Sequence, residues 1–287
     1  MKIAVASGKG GVGKSMVSSA LAMLLSEKNK VVAADCDVDA PDLSIWLGER
    51  DWDSQEKIST SERAVIDYEK CISCGKCAEI CRFRAIRFKE KPEVLPYLCE
   101  GCGACQVYCP AKAVELVSVK NGEIAIKKTK HGFPLVTGLL YPSETGSGKI
   151  VTEVKKKAGS FEHDIMVLDS AAGTGCPVIA SLNGVDYAIL VTEPTPSGFS
   201  DLQRVLDVVN HFKTPYGIII NKWNINKELS KEIEGWAGDK VLGKLSFDKK
   251  VFSALSNLTP ILESDSVVAD EIRTIFNRLE GKYERSD

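Results

Sequence analysis

The 287-residue chain contains no run of 18 or more apolar residues, which excludes an ordinary membrane-spanning helix. It has little net charge: 37 Lys and Arg against 39 Asp and Glu leave a formal −2. There is therefore no global basic field to attract nucleic acid and no acidic tail. Histidine is scarce, and none of His131, His163 and His211 falls at a metal-ligand spacing. Cysteine is scarcer still outside one short segment, where only Cys36 and Cys176 occur. The first residues (MKIAV) run straight into a glycine loop, leaving no room for a secretory h-region. A soluble, cytoplasmic protein without stable membrane insertion is expected. In that reducing setting the remaining cysteines, clustered at x2 spacing, predict metal ligation rather than disulfides. What is left is an ordinary globular composition, 44% hydrophobic and 26% charged, on a chain long enough to bury a real core.

Residues 2–7 form a short apolar strand, followed by Gly8, Lys9, Gly10, Gly11, Val12, Gly13, Lys14 and Ser15. A helical pattern comes next, with Val17, Leu21, Leu24 and Leu25 at helical spacing. The octet fits the phosphate-loop pattern G-x-x-x-x-G-K-[ST], with a strand before it and a helix after it. Its glycines let the backbone curl so that N–H groups face phosphate oxygens, and the helix start adds the positive end of its dipole. The expected nucleotide-binding set is Gly8, Gly10, Gly11, Val12, Gly13, Lys14, Ser15 and Met16. Lys14 would reach the β- and γ-phosphates of ATP, and Ser15 would ligate Mg²⁺. Residues 30–35 (KVVAAD) read as a buried strand that delivers acids at its end. Residues 50–62 read as a polar connector. Residues 121–160 read as a Gly/Ser/Lys-rich stretch with a strand-like piece at 123–126 and a loop at 142–149. Apolar runs at 165–168, 188–191 and 217–220 then alternate with helix-like segments such as 199–212, which predicts a parallel sheet covered on both faces.

Between residues 63 and 120 a 28-residue repeat stands out: Cys71, Cys74, Cys77, Cys81, Ala85, Ile86 and Phe88 recur as Cys99, Cys102, Cys105, Cys109, Ala113, Val114 and Leu116. Each run reads C-x2-C-x2-C-x3-C, and the second closes with Pro110. This is two-cluster ferredoxin spacing, in which three cysteines of a run hold one [4Fe–4S] cubane and the fourth crosses to the other. Cys71, Cys74, Cys77 and Cys109 are expected to share one cluster, and Cys99, Cys102, Cys105 and Cys81 the second. Short spacings let one tight loop aim three thiolates at a soft centre, with Gly75, Gly101 and Gly103 supplying the turns. A zinc ribbon fits less well, because it uses two C-x2-C pairs per metal. Arg82 stands where the repeat has Pro110, so packing beside Cys81 should differ. Residues 82–91 (RFRAIRFKEK) carry five basic side chains. They read as a docking face for an acidic redox protein, as an offset to the clusters' negative charge, or as a solvated edge strand that discourages aggregation.

With Lys9 as a second lysine, the loop KGGVGKS resembles the deviant Walker A class: MinD, ParA, the nitrogenase iron protein and the Mrp-type cluster carriers. The resemblance implies a homodimer in which Lys9 crosses to the partner's ATP; the plainer alternative is a solvated loop lysine. It implies that Asp37, within residues 35–39 (DCDVD), positions the attacking water; the plain role of the nearby Asp35 and Asp39 is solvation of the loop. Asp169 matches the acid that holds Mg²⁺ through water, and Gly173 the glycine that senses the γ-phosphate, although Ala171 replaces the family's usual proline. Asn221 matches the base-binding asparagine, and residues 192–197 (TEPTPS) are also family-like. The whole arrangement resembles MinD-superfamily ATPases with an inserted ferredoxin domain. The expected fold is α/β: a doubly wound, mainly parallel P-loop NTPase sheet with an inserted α+β bacterial ferredoxin domain. The expected parts are residues 1–60 and 121–287 for the ATPase and 61–120 for the insert. By the same resemblance the reaction is ATP hydrolysis, coupled through dimer switching to electron transfer with a redox or iron–sulfur partner protein. Cluster carriage, or MinD/ParA-like positioning with a redox-sensing insert, are the alternatives. Cys176 is either an interface cluster ligand, as in the nitrogenase iron protein, or a small residue starting a helix; Cys36 reads as core. The C-terminal helix (Ile272, Ile275, Phe276, Leu279) sits where MinD has a membrane-targeting helix. Its Asp270, Glu271, Glu280 and Glu284 favour packing instead.

Overall fold

Strands buried along nearly their whole length need cover on both faces, and the chain supplies five of them. In a computed structural model, which describes residues 1–283, these are β1 (Lys2–Ser7), β2 (Val31–Cys36), β10 (Ile165–Ala172), β11 (Tyr187–Thr192) and β12 (Tyr216–Asn221). They join a nine-stranded sheet with β3 (Ser54–Ile58), β8 (Gly122–Lys128), β9 (Pro134–Leu140) and β13 (Val241–Leu245), in the order β13-β12-β11-β1-β10-β2-β9-β8-β3. Pairing is parallel from β13 to β9 and antiparallel across β9–β8 and β8–β3. Alternate residues of each strand feed opposite cores. Ile3 and Val5 pack with α1 (Lys14–Ser26) and α10 (Val267–Tyr283); Ala4 and Ala6 face α5 (Ser147–Ala158), α6 (Cys176–Leu182), α7 (Pro196–His211) and α8 (Lys227–Ala237). One-turn α2 (Leu43–Trp46) and short α9 (Lys250–Ser256) complete the helices around this sheet.

Ile272, Ile275, Phe276 and Leu279 of α10 are buried in the core, so this helix packs as its acids suggested. The side chain of Glu280 and all of Glu284 lie outside the described residues. No helix among the described residues is long and apolar enough to cross a membrane.

Two stretches differ from the sequence reading. The polar connector at 50–62 contains β3, whose first four residues are exposed; an edge strand wet on its outer side need not carry an apolar pattern. Residues 121–160 are more ordered than their composition suggested. They form two full sheet strands and α5, which starts inside the expected 142–149 loop and buries only Ile150, Val151, Val154 and Ala158.

Between β3 and β8 the chain builds a small body. Its frame is β4 (Ser61–Ile66) paired antiparallel with β7 (Val114–Val119), with one-turn α3 (Lys76–Glu79) and α4 (Ala104–Val107) and a ribbon of β5 (Ile86–Phe88) and β6 (Pro92–Val94). The sequence repeat is also a structural one. Gly75 and Gly103 precede α3 and α4 at φ 76° and 77°, and Arg84 and Lys112 adopt φ 52° and 49°. Cys81 and Cys109 accept N–H bonds from Ala85 and Ala113 at 3.3 and 3.2 Å.

The β4–β7 pair continues the β3–β8 pair after a break at 59–60 and 120–121. Fully buried Asn121 holds that joint. Its Oδ1 accepts from the Thr60 N–H at 2.8 Å, and its Nδ2 donates to Thr60 Oγ1 at 2.9 Å and to the Thr145 carbonyl at 2.7 Å. Asn121→Ala would leave the Thr60 N–H and the Thr145 carbonyl unpaired. It is expected to destabilise the protein by about 2–4 kcal/mol in denaturant unfolding, and loss of less than about 1 kcal/mol would show that water replaces the amide.

Candidate functional site

The parallel strands deliver their C-terminal ends to one edge, and the sequence puts its acids and its glycine loop there. Residues 8–13 link β1 to α1, with Gly11 at φ 73° and Gly13 at φ 97°. A β-carbon on Gly13 would collide with Asn221 Nδ2, and one on Gly8 with the Asp201 backbone of α7. Gly8 and Gly13 therefore permit close approach as well as loop curvature. Gly10 and Gly11 are exposed, whereas Val12, Lys14, Ser15 and Met16 are buried.

Lys14 is the positive centre of the edge. Its Nζ lies 3.5 Å from Asp37 Oδ2. Burial works to lower its pKa, but the charges of Asp169, Asp37, Asp42 and Asp35 outweigh burial and hold the ammonium above its usual value. The acids shift the other way. Burial pushes Asp169 up to about 6, against the pull of Lys14, Ser15 and Ser18. Burial also raises Asp37 despite Lys14. Asp35 is pushed well above the carboxylate range by burial and by its neighbour Asp169, which it faces across β2 and β10. Asp35 does not solvate the loop as expected. It is buried, with its oxygens accepting from the Asp37 N–H at 3.1 Å and the Leu43 N–H at 3.0 Å, so it shapes the turn that carries Asp37. Asp39 is exposed. Asp169 Oδ1 accepts from Ser18 Oγ at 2.7 Å, while its buried Oδ2 has no hydrogen-bond partner among the described residues. Gly173 follows β10 at φ 94° and donates its N–H to the Ser7 carbonyl at 2.9 Å.

Three residues do more here than the sequence suggested. Asn221 Nδ2 donates to the Val12 carbonyl at 2.7 Å, tying the end of β12 to the glycine loop. Lys222, at φ 54°, reaches the Gly11 carbonyl at 3.0 Å and Glu193 Oε2 at 3.0 Å. The other oxygen of Glu193 accepts from Lys9 at 2.9 Å. The segment 192–197 was legible as family-like, but nothing in its pattern indicated that Glu193 would bridge two lysines.

The eight clustered cysteines divide into two groups. Cys71, Cys74, Cys77 and Cys109 line one cavity of about 330 Å³, counting space open at its mouth, and Cys81, Cys99, Cys102 and Cys105 line another of the same size. These are the two groups that the crossed pattern predicts. All ten cysteines are free thiols. Burial raises the pKa of Cys77 and of Cys105. Cys99 Sγ accepts from the Ala64 N–H at 3.4 Å. Among the described residues no three Cys, His, Asp or Glu side chains close to the distances that hold a single ion. The basic side chains of 82–91 are all exposed. Cys36 is buried in the core as expected, and Cys176 is exposed at the start of α6.

Backbone contacts connect the two regions. The Leu140 N–H donates to the Val38 carbonyl at 2.8 Å, and Leu140 pairs with Gly122 beside the Asn121 joint. Arg63 forks onto Glu144 at 2.9 and 3.1 Å, next to Ala64. Gly148 of α5 packs on Cys176 closely enough that a β-carbon would crowd it.

A mainly parallel sheet, a glycine loop opening a helix, and acids ending the adjacent strands define a P-loop nucleotide-binding fold. The chain belongs to the CobQ/CobB/MinD/ParA nucleotide binding domain family, whose model matches residues 3–261. An uncharacterized protein of Methanocaldococcus jannaschii is 37% identical over 280 residues, covering 97% of this chain and 96% of its own. The fold of this chain is shared by the septum site-determining protein MinD of Pyrococcus horikoshii, solved with Mg-ADP, at a TM-score of 0.59 and 18% identity over 97% of this chain and 95% of that one. A ferredoxin of Pyrobaculum islandicum is 33% identical over 79 residues, 27% of this chain and 74% of the ferredoxin.

The loop geometry yields a direct test. Gly13→Ala forces a β-carbon into a left-handed residue and against Asn221. It is expected to cost at least about 1–2 kcal/mol of stability from backbone strain and to weaken nucleotide binding in calorimetric titration. Unchanged affinity would show that the Asn221 contact is dispensable to the loop.

Proposed function

We propose that the protein is an ATPase in which nucleotide-driven pairing of two copies is coupled to electron transfer through two [4Fe–4S] clusters. The observation that carries this reading is the sorting of eight cysteines into two four-thiol cavities in the same chain as a phosphate loop. Four thiols lining one cavity, with no three at single-ion distances among the described residues, suit a cubane better than one ion, because Zn–S bonds of about 2.3 Å would draw the sulfurs closer together. Similarity to a ferredoxin over part of the chain supports the same assignment. In this reading residues 61–120 are an inserted ferredoxin domain between residues 1–60 and 121–287 of the ATPase.

Lys14 and the loop N–H groups would bind the β- and γ-phosphates, and Asn221 would act by holding the loop in shape while presenting its edge to adenine. Ser15 and Asp169 would hold Mg²⁺, which supplies charge neutralisation on the phosphates when bound. The orphaned Asp169 Oδ2 suits that role, since a cation or its water gives the buried oxygen a partner. Asp37 would orient the attacking water, Gly173 would respond to the γ-phosphate, and Lys9 would reach the partner's nucleotide. Cys71, Cys74, Cys77 and Cys109 would hold one cluster and Cys81, Cys99, Cys102 and Cys105 the other; the clusters supply one-electron redox chemistry when present. The Val38–Leu140 bond and the Asn121 joint support coupling, because the segment carrying Asp37 and the strands leading to the cysteines share a backbone.

Anaerobic purification is expected to yield about eight irons per chain, unchanged by Cys176→Ser and reduced by Cys99→Ser. Stoichiometric zinc without charge-transfer absorption would overturn the cluster assignment. Midpoint potentials measured with ADP and with a slowly hydrolysed ATP analogue should differ; identical values would reduce the insert to a passenger.

A further inference from the structure

Lys9 does not project freely from the loop. Its Nζ lies 2.9 Å from Glu193 Oε1 and 3.4 Å from Ser197 Oγ, both in its own chain. The second oxygen of Glu193 is taken by Lys222, whose Nζ also bonds the Gly11 carbonyl. One carboxylate thus holds two lysines, one per oxygen. Burial works to raise the pKa of Glu193, but the bonds from Lys9 and Lys222 more than offset it and leave the carboxyl below its usual range.

The two lysines are not equivalent. The Lys222 ammonium bonds the glycine loop as well as Glu193, and the residue follows Asn221, which itself grips Val12. Lys9 is the more exposed of the two, at 39% against 26%. If Lys9 leaves, Glu193 keeps Lys222 as its counter-charge and is not left buried and unpaired, the condition that makes breaking a buried ion pair so costly. Lys222 in turn keeps hold of the loop. The arrangement allows Lys9 to depart while the nucleotide site keeps its shape.

We propose that Glu193 is the positioning residue for Lys9. It holds the lysine within its own subunit, so that two copies can pair across ATP only after that ion pair opens. The proposal rests on the reading that Lys9 acts on the partner's nucleotide. Glu193 then competes with the partner's phosphates for one ammonium and sets the protein concentration at which the copies associate.

The test measures self-association of the full-length, anaerobically purified protein by analytical ultracentrifugation with a slowly hydrolysed ATP analogue. Glu193→Gln keeps the size of the side chain and one acceptor oxygen but removes its charge. It should lower the dimer dissociation constant about two- to fivefold, the range of a partly exposed ion pair. Lys9→Ala should weaken association, and adding Glu193→Gln to it should change association no further, because the latch acts on pairing only through that lysine. Ser197→Ala removes the second contact of Lys9 without touching Lys222; it should shift association in the same direction by less, and it provides the measurement should Glu193→Gln fold poorly. Glu193→Gln associating as wild type or more weakly, while Lys9→Ala is impaired, would overturn the latch. An effect of Glu193→Gln that persists in the Lys9→Ala background would overturn it too. If Lys9→Ala associates normally, the trans role of the lysine fails and the latch falls with it.

Discussion

A single buried ammonium makes the rest of this edge possible. Two neighbouring parallel strands pair Asp169 with Asp35 in their C-terminal halves, and a third carboxylate, Asp37, lies on the turn just beyond β2. Burial resists their ionisation and pushes all three upward, with carboxylate repulsion added by Asp169 at Asp35 and by Asp42 at Asp37 and Asp169. Lys14 offsets that repulsion from the first turn of α1, where the glycine loop places it. The glycine loop therefore serves the unliganded fold as well as phosphate: it delivers the cation that makes the ends of β2 and β10 tolerable. The backbone around it is pinned by groups from β12 and α7, so the cation and the acids are fixed relative to each other.

The small body is built by a different rule. Its core is thin, limited to residues such as Ala64, Ile66, Ile86 and Val114 together with the buried cysteines themselves. So little apolar surface is a weak basis for independent stability, and small domains of this kind commonly depend on metal or disulfide links. The duplicated turns at Gly75 and Gly103, and at Arg84 and Lys112, show two half-units arranged around thiol-lined space. Attachment to the larger sheet relies on polar contacts: the Asn121 joint and the Arg63–Glu144 fork. Such contacts fix orientation without demanding a large apolar interface.

The parallel sheet was legible because its central strands carry continuous apolar runs, and the phosphate loop because its chemistry demands a fixed spacing. The grouping of cysteines was legible from the repeat. The edge of the sheet was not. The first four residues of β3 are polar because they face water, and α5 begins with Ser, Gly and Lys, so neither carries the periodicity that marks a buried element. Glu193 and Lys222 escaped notice for another reason. Their meaning depends on residues about 180 to 210 positions away, and no local pattern encodes an ion pair across such a distance. Asp35 was misread because an acid at a strand end resembles a solvated one until its neighbours are known.

The strand order also governs how the chain must come together as it is made. β1 lies between β10 and β11, β2 between β10 and β9, and β3 pairs with β8, so every partner of the first three strands follows Cys109 in the sequence. As the chain emerges, the first sixty residues present apolar strands with nothing to pair with. The nucleotide edge cannot close until β10 arrives between β1 and β2. The cysteine segment, whose own ends meet across Ser61 and Val119, can settle before that. Synthesis thus imposes an order on assembly: the thiol-rich unit is complete in sequence while the nucleotide edge is still open, and the sheet seals around its stem afterwards.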